Sequence, residues 1–109
     1  MPEEITVVQA SNARIRIFKT ERTMSNFTIA FFSNDFDRYD TGVARFKQIG
    51  SIGEQIVKRI FRECPDVKNV YIQPTQLTIT VKDIKGWNEV EKQIRVILTD
   101  VLYTVHQNY

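Results

Sequence analysis

SIGEQIVKRIFRECPDVKNVYIQPTQLTITVKDIKGWNEVEKQIRVILTDVLYTV, residues 51–105, changes its hydrophobic period twice, and those two changes decide the fold. The first segment opens on Ser51-Ile52-Gly53-Glu54, a serine with a glutamate three residues on, which is the capping-box pattern. Ile52, Ile56, Val57, Ile60, Phe61 and Cys64 then recur at steps of three and four and share one helical stripe, with Lys58, Arg59, Arg62 and Glu63 on the wet side. Pro65 ends this helix, because the residue before a proline is pushed out of the α region. The spacing predicts a helix over 52–63.

From Val70 the period becomes two. Val70 and Ile72 alternate with Tyr71 and Gln73, and Leu77, Ile79 and Val81 alternate with Thr78, Thr80 and Lys82. Pro74-Thr75-Gln76 supplies the turn of a β-hairpin. The run Asp83-Ile84-Lys85-Gly86 breaks the alternation, and a period near 3.6 returns. Trp87, Val90, Ile94, Ile97, Leu98, Val101, Leu102 and Val105 form a broad apolar stripe on a helix of about five turns. Glu89 and Glu91 suit the positive end of its dipole.

Working outward toward the start, Phe27, Ile29 and Phe31 alternate with Thr28, Ala30 and Phe32, and Ala13, Ile15 and Ile17 alternate with Arg14 and Arg16. The first-named residue of each set is expected to face the core, with Phe18 on the solvent side or at a bulge. Residues 1–12 admit two readings, an edge strand through Ile5, Val7 and Val8 or a flexible lead. Asn34 to Gly50 is expected to be an ordered, irregular connection with a helical turn around Val43 to Lys47; connections this long are functional or mobile, and the sequence leaves both open. The order β-β-α-β-β-α predicts a two-layer α+β fold: a four-stranded, mainly antiparallel sheet with two helices on one face. At 109 residues the chain is expected to be one domain, 1–109.

Fifteen basic against thirteen acidic side chains give a net charge of +2, which offers no electrostatic drive toward duplex DNA or an anionic membrane. No apolar run approaches the ~20 residues that span a bilayer. A single cysteine leaves no internal disulfide framework, and the acidic start lacks the pattern of a secretory signal, so a cytoplasmic setting is expected.

Residues 67–89 carry a family resemblance. An amphipathic helix runs into Cys64-Pro65-Asp66-Val67-Lys68-Asn69-Val70-Tyr71-Ile72, followed by Leu77-Thr78-Ile79-Thr80-Val81-Lys82 and by Trp87-Asn88-Glu89 at the start of the last helix. In this the chain resembles the N-terminal domain of Nfu/NifU-type iron–sulfur scaffold proteins, with Asn26-Phe27-Thr28-Ile29 in the place of that domain's second strand. The chain departs from the family pattern in three places. Thr20 to Asn26 lacks the proline of the family's first loop, and the first twelve residues and Asn34–Gly50 look like additions. The family's cluster-holding Cys-x-x-Cys belongs to a separate C-terminal domain, and no such pair occurs in this sequence. The resemblance therefore implies a fold and an association with iron–sulfur assembly, without a cluster site.

The residues themselves supply little chemistry. Cys64 continues the stripe of Ile60 and Phe61, where a buried cysteine behaves as a small hydrophobe. A homodimer would bring two thiolates where a cluster commonly takes four. His106 has no companion ligands, and Asp35, Asp37 and Asp40 lack the spacing and closing glutamate of a calcium loop. Gly42, Gly50 and Gly53 do not make a phosphate-binding turn. No catalytic residue, metal site or cofactor is expected, and the chain is read as not an enzyme. The expected interaction surface is the outer face of the sheet, with Arg14, Arg16, Phe32, Tyr71 and Lys82 as its candidates. A protein partner is the leading expectation. The alternative is single-stranded nucleic acid stacked on the aromatics and held by the basic residues, although no RNP signature is present.

Overall fold

A computed structural model describes residues 5–32 and 43–103. Its elements are β1 (Ile5–Gln9), β2 (Ile15–Thr20), β3 (Ile29–Phe32), α1 (Val43–Glu63), β4 (Val67–Ile72), β5 (Gln76–Val81) and α2 (Trp87–Leu98). A single 3-10 turn, Ile84–Gly86, leads into α2, and a π-helical turn, Thr99–Tyr103, continues it. All strand pairs are antiparallel, in the spatial order β1-β2-β5-β4-β3.

The α+β class, the antiparallel sheet and the two covering helices agree with the expectation from sequence. The strand count does not: the described residues form five strands, in the chain order β-β-β-α-β-β-α. The extra strand is Ile5–Gln9, which pairs along its whole length with β2 and takes the edge-strand reading of the first twelve residues.

α1 also begins earlier than residue 52. It is two helical segments joined at Gly50, whose φ of 94° and ψ of 169° break the helix. That backbone conformation is essentially confined to glycine. The kink aims both segments at the sheet: Phe46 and Ile49 before it are buried, as are Ile56, Val57 and Ile60 after it. Just past the kink, Gly53 lies so close to the Met24 carbonyl that a Cβ would sit 2.9 Å from it. Glu54, expected in a capping box, forms an ion pair with Lys58 at 2.6 Å.

The core lies between the sheet and the helices. Ile60, Ile94, Ile97 and Leu98 are completely buried from the helix side, and Val70, Ile72, Leu77, Ile79 and Val81 from the sheet side. Each such side chain contributes about 1.5–3 kcal/mol by leaving water. Thr78 and Thr80 are only half-buried, as the alternation requires. The helices are tied to each other by Arg59, which bonds Glu63 on its own helix and Asp100 beyond the end of α2, and by Gln93, which donates to Glu63 at 2.6 Å.

β2 lies in the opposite phase to the one expected. Phe18 is fully buried and Thr20 nearly so, while Ile15 and Ile17 lie half-buried on the other face. Pairing sets the phase: Phe18 stands opposite Leu77 and Arg16 opposite Ile79, both of which face the core. Ile-Arg-Ile-Phe offers an apolar residue in either phase, and burying the larger phenyl ring removes more apolar area from water. Phe27 is the second exception. It is 58% exposed, because Ser25 Oγ donates to the Phe27 carbonyl and accepts from its N–H, a turn that holds this residue out of β3.

Candidate interaction surface

Both helices lie on one side of the sheet, and among the described residues no element covers the other side, called here the open face. The strand registers place two rows across it. One runs Val8, Ile17, Thr78, Tyr71 and Ala30; the next runs Ile15, Thr80, Asn69 and Phe32. Phe32 is 47% exposed, Tyr71 41% and Val8 38%, so these apolar side chains line one face. The five strands contain Arg16, Lys19 and Lys68 and no carboxylate. Lys19 belongs to the open face, whereas α2 presents Glu89 and Glu91 on the covered side.

Of the residues proposed from sequence, the structure brings Phe32 and Tyr71 together on the open face, on the neighbouring strands β3 and β4. Arg14 and Lys82 meet at one end of β2 and β5, where Arg14 Nε donates to the Lys82 carbonyl at 3.4 Å. Arg16 is on the other face. Its guanidinium lies 4.8 Å from the Trp87 ring centroid and pairs with Glu91, so its stem fills space beneath α2. This follows from the reversed phase of β2. Sequence reasoning missed Ile15, Ile17 and Val8 as open-face residues, because alternation marks which residues share a face and not which face is covered.

Arg16, Trp87, Asn88, Glu91, Lys92 and Arg95 line a cleft of about 220 Å³ along the flank of α2 nearer β1. Trp87 is fixed there by its indole N–H, which donates to the Ala13 carbonyl at 3.1 Å. A second cleft, of about 360 Å³, lies at the ends of α1 and α2 and is lined by Glu63, Cys64, Pro65, Asp66, Gly86, Glu89, Val90 and Gln93. A Cβ at Gly86 would meet the Asp66 carboxylate, which would have to swing aside. Burial, reinforced by the nearby Glu63 charge, pushes the Cys64 thiol up to about 11 and leaves it neutral near pH 7. It is thus a poor nucleophile and a poor metal ligand as it stands. Glu63 itself is held below its usual value by the hydrogen bond from Arg59.

Among the described residues no group of three or more His, Cys, Asp or Glu side chains is placed to hold a metal ion. No described helix is long and apolar enough to cross a membrane. His106, Asp35, Asp37 and Asp40 lie outside the described residues.

These features define a two-layer sheet-and-helix module with an apolar, carboxylate-free open face. The family model described as the N-terminal part of the scaffold protein Nfu/NifU matches residues 17–104. The chain belongs to that family, which is associated with iron–sulfur cluster scaffolding. The fold is also similar to the solution NMR structure of a NifU-like protein from Saccharomyces cerevisiae, with a TM-score of 0.63 and 22% identity over 88% of this chain and 75% of that one. No curated protein matches the chain.

Proposed function

We propose that this chain is a non-catalytic protein-interaction module of iron–sulfur cluster assembly, formed as a single Nfu N-terminal-like domain. The observation that carries the reading is the open sheet face: Tyr71, Phe32 and Val8 exposed on one side of a sheet whose other side is filled by helices. Exposed apolar side chains gathered on one surface mark contact sites more often than scattered ones do. Family membership supplies the process. The neutral, buried Cys64 supports a packing role for the thiol. The nucleic-acid alternative counted on Arg16 beside the aromatics, and Arg16 is instead bound to Glu91 beneath α2.

The test is affinity capture from native extract with the wild-type chain and with Tyr71→Lys and Phe32→Ser. Cysteine desulfurase and scaffold proteins are expected on the wild type after high-salt washing and are expected to be lost from both variants. Capture unaffected by these substitutions removes the open face from the reading. Tight binding of an oligonucleotide that weakens steeply with salt favours the alternative.

A further inference from the structure

β1 is an end strand, paired on one side only, with β2. Ala10 N donates to the Ile15 carbonyl at 3.2 Å, which makes Ala10 and Ile15 a hydrogen-bonded pair of this ladder. In an antiparallel ladder such pairs alternate with non-bonded ones, so Val8 and Thr6 also bond inward. The far side of β2 agrees: Thr20 N bonds the Thr75 carbonyl and Val81 N bonds the Arg14 carbonyl, each at 3.0 Å, which leaves Ile17 and Lys19 to turn toward β1. Ile5, Val7 and Gln9 therefore direct their N–H and C=O groups away from the sheet, and no described residue bonds them there.

Exposed strand edges are commonly blunted by lysine, proline, a bulge or an inward charge. β1 reads Ile-Thr-Val-Val-Gln, has none of these, and keeps an unbroken register from Ile5 opposite Thr20 to Gln9 opposite Arg16. All but Gln9 are β-branched, the kind of side chain that suits a pleated surface. The family match begins at residue 17, so this edge is outside the part of the chain that the family model describes.

The edge is complementary to itself. Its outward residues are evenly spaced about Val7, so a two-fold axis there sets an antiparallel copy with Val7 opposite Val7 and Ile5 opposite Gln9. Every outward N–H and C=O of both strands is then bonded, with none left over. Between these pairs Thr6 meets Val8 on the open face, a contact of β-branched side chains. β1 carries no charge, so it selects no charged partner and does not repel its own copy. The cations of β2 do not oppose the joint either. Arg16 is already paired with Glu91. Lys19 is opposite Thr6 and turns its side chain to the open face. It would lie three strand spacings and two residues from its counterpart, about 16 Å at the backbone, beyond the ~8 Å screening length at physiological salt. α2 stands over β2, where Trp87 reaches Ala13 and Glu91 reaches Arg16. The two copies of α2 would thus be about 14 Å apart, wider than the roughly 8–10 Å at which helices meet.

We infer that the outer edge of β1 is a homodimer joint, in which β1 pairs antiparallel with β1 of a second copy about Val7 and joins the two sheets into one. The joint is independent of the open-face reading, and its failure would leave that reading standing.

The test uses the full chain over a range of concentrations. Strands of this length bury less than the ~1,000 Å² of a durable complex, so the dimer is expected to be weak, with monomer at about 10 μM and mostly dimer at about 1 mM. Sedimentation equilibrium reads the mass, and amide exchange in two-dimensional NMR reads the place. The amides of Val7 and Gln9 are expected to slow as concentration rises, while those of Thr6 and Val8, already bonded to β2, change little. In a mixture of labelled and unlabelled chains, the Hα of Thr6 on one copy is expected to contact that of Val8 on the other. Val7→Pro removes an outward N–H at an edge position where proline is tolerated, and is expected to leave the chain monomeric with its spectrum otherwise native. Should Val7→Pro not fold, Gln9→Pro removes an outward N–H at the exposed end of the strand and is expected to weaken association about tenfold. Four results would each overturn the inference: a chain that stays monomeric at the highest concentration, a dimer without protection of Val7 and Gln9, protection of these amides that does not vary with concentration, or association that survives both proline variants and is lost in Tyr71→Lys.

Discussion

The phase of β2 can be tested by Phe18→Ala set against Ile17→Ala. Phe18 is wholly buried, opposite Leu77, with its ring centroid 6.3 Å from that of Trp87. Truncating such a ring costs about 3–5 kcal/mol, through lost burial and the cavity left behind. Ile17 is half-buried on the open face, and removing part of an already wet side chain costs about 1 kcal/mol. A chain of this size has a total stability of about 5–15 kcal/mol, so the first change removes a large share of it. With a urea slope near ~1.5 kcal/mol per molar, the midpoint is expected to fall by about 2–3 M for Phe18→Ala and by less than about 1 M for Ile17→Ala. Equilibrium urea unfolding followed by far-ultraviolet circular dichroism reads both. Should Phe18→Ala be too unstable to purify, Phe18→Leu against Ile17→Val preserves the ordering. Equal costs, or a larger one at Ile17, would refute the buried phase and with it the placement of Arg16 beneath α2.

Two other outcomes follow from single features. Gly50→Ala forces a side chain into the φ of 94° and toward the Asn26 amide, 3.1 Å from where its Cβ would lie. It is expected to cost about 1–3 kcal/mol, seen as a drop of about 5–15 °C in the thermal midpoint; an unchanged midpoint would show that the kink is not needed. The Arg59 hydrogen bond holds the Glu63 carboxyl below its ordinary 4.5, so the folded state binds this proton less readily than the unfolded one. Its stabilisation is complete above that value and is lost as pH falls through the lower, folded one. Wild type is expected to exceed Arg59→Ala in stability near neutrality and to converge with it in acid, as measured by urea unfolding across that range.

Much of the architecture was legible because period and burial agree. Ile56, Ile60, Ile94 and Leu98 repeat at helical spacing, and Leu77, Ile79 and Val81 alternate beside threonines that stay half wet. The phase of β2 is not legible in its sequence, which is apolar in both phases, and only the partner strand breaks the tie. β1 stays ambiguous in the sequence because a five-residue run with only three apolar residues acquires its identity from a neighbour. The first half of α1 is legible only as the expected turn around Val43 to Lys47, because Gly50 interrupts the helical period at the point where the chain turns. On the candidate surface, Phe32 and Tyr71 can be placed outward because Phe31, Val70 and Ile72 make the opposite face of their strands the more apolar one. Arg16 could not, since its partners Glu91 and Trp87 are more than seventy residues away.

The strand order has a kinetic consequence. β1 with β2, and β4 with β5, join stretches that are near neighbours along the chain and can zip early. The seam between β2 and β5 joins residues about sixty positions apart, and closing so large a loop must precede any reward from the contacts it makes. The seam between β3 and β4 spans about forty positions as well, so folding should wait on these two long-range closures, and substitutions confined to the β4–β5 turn should leave its rate nearly untouched.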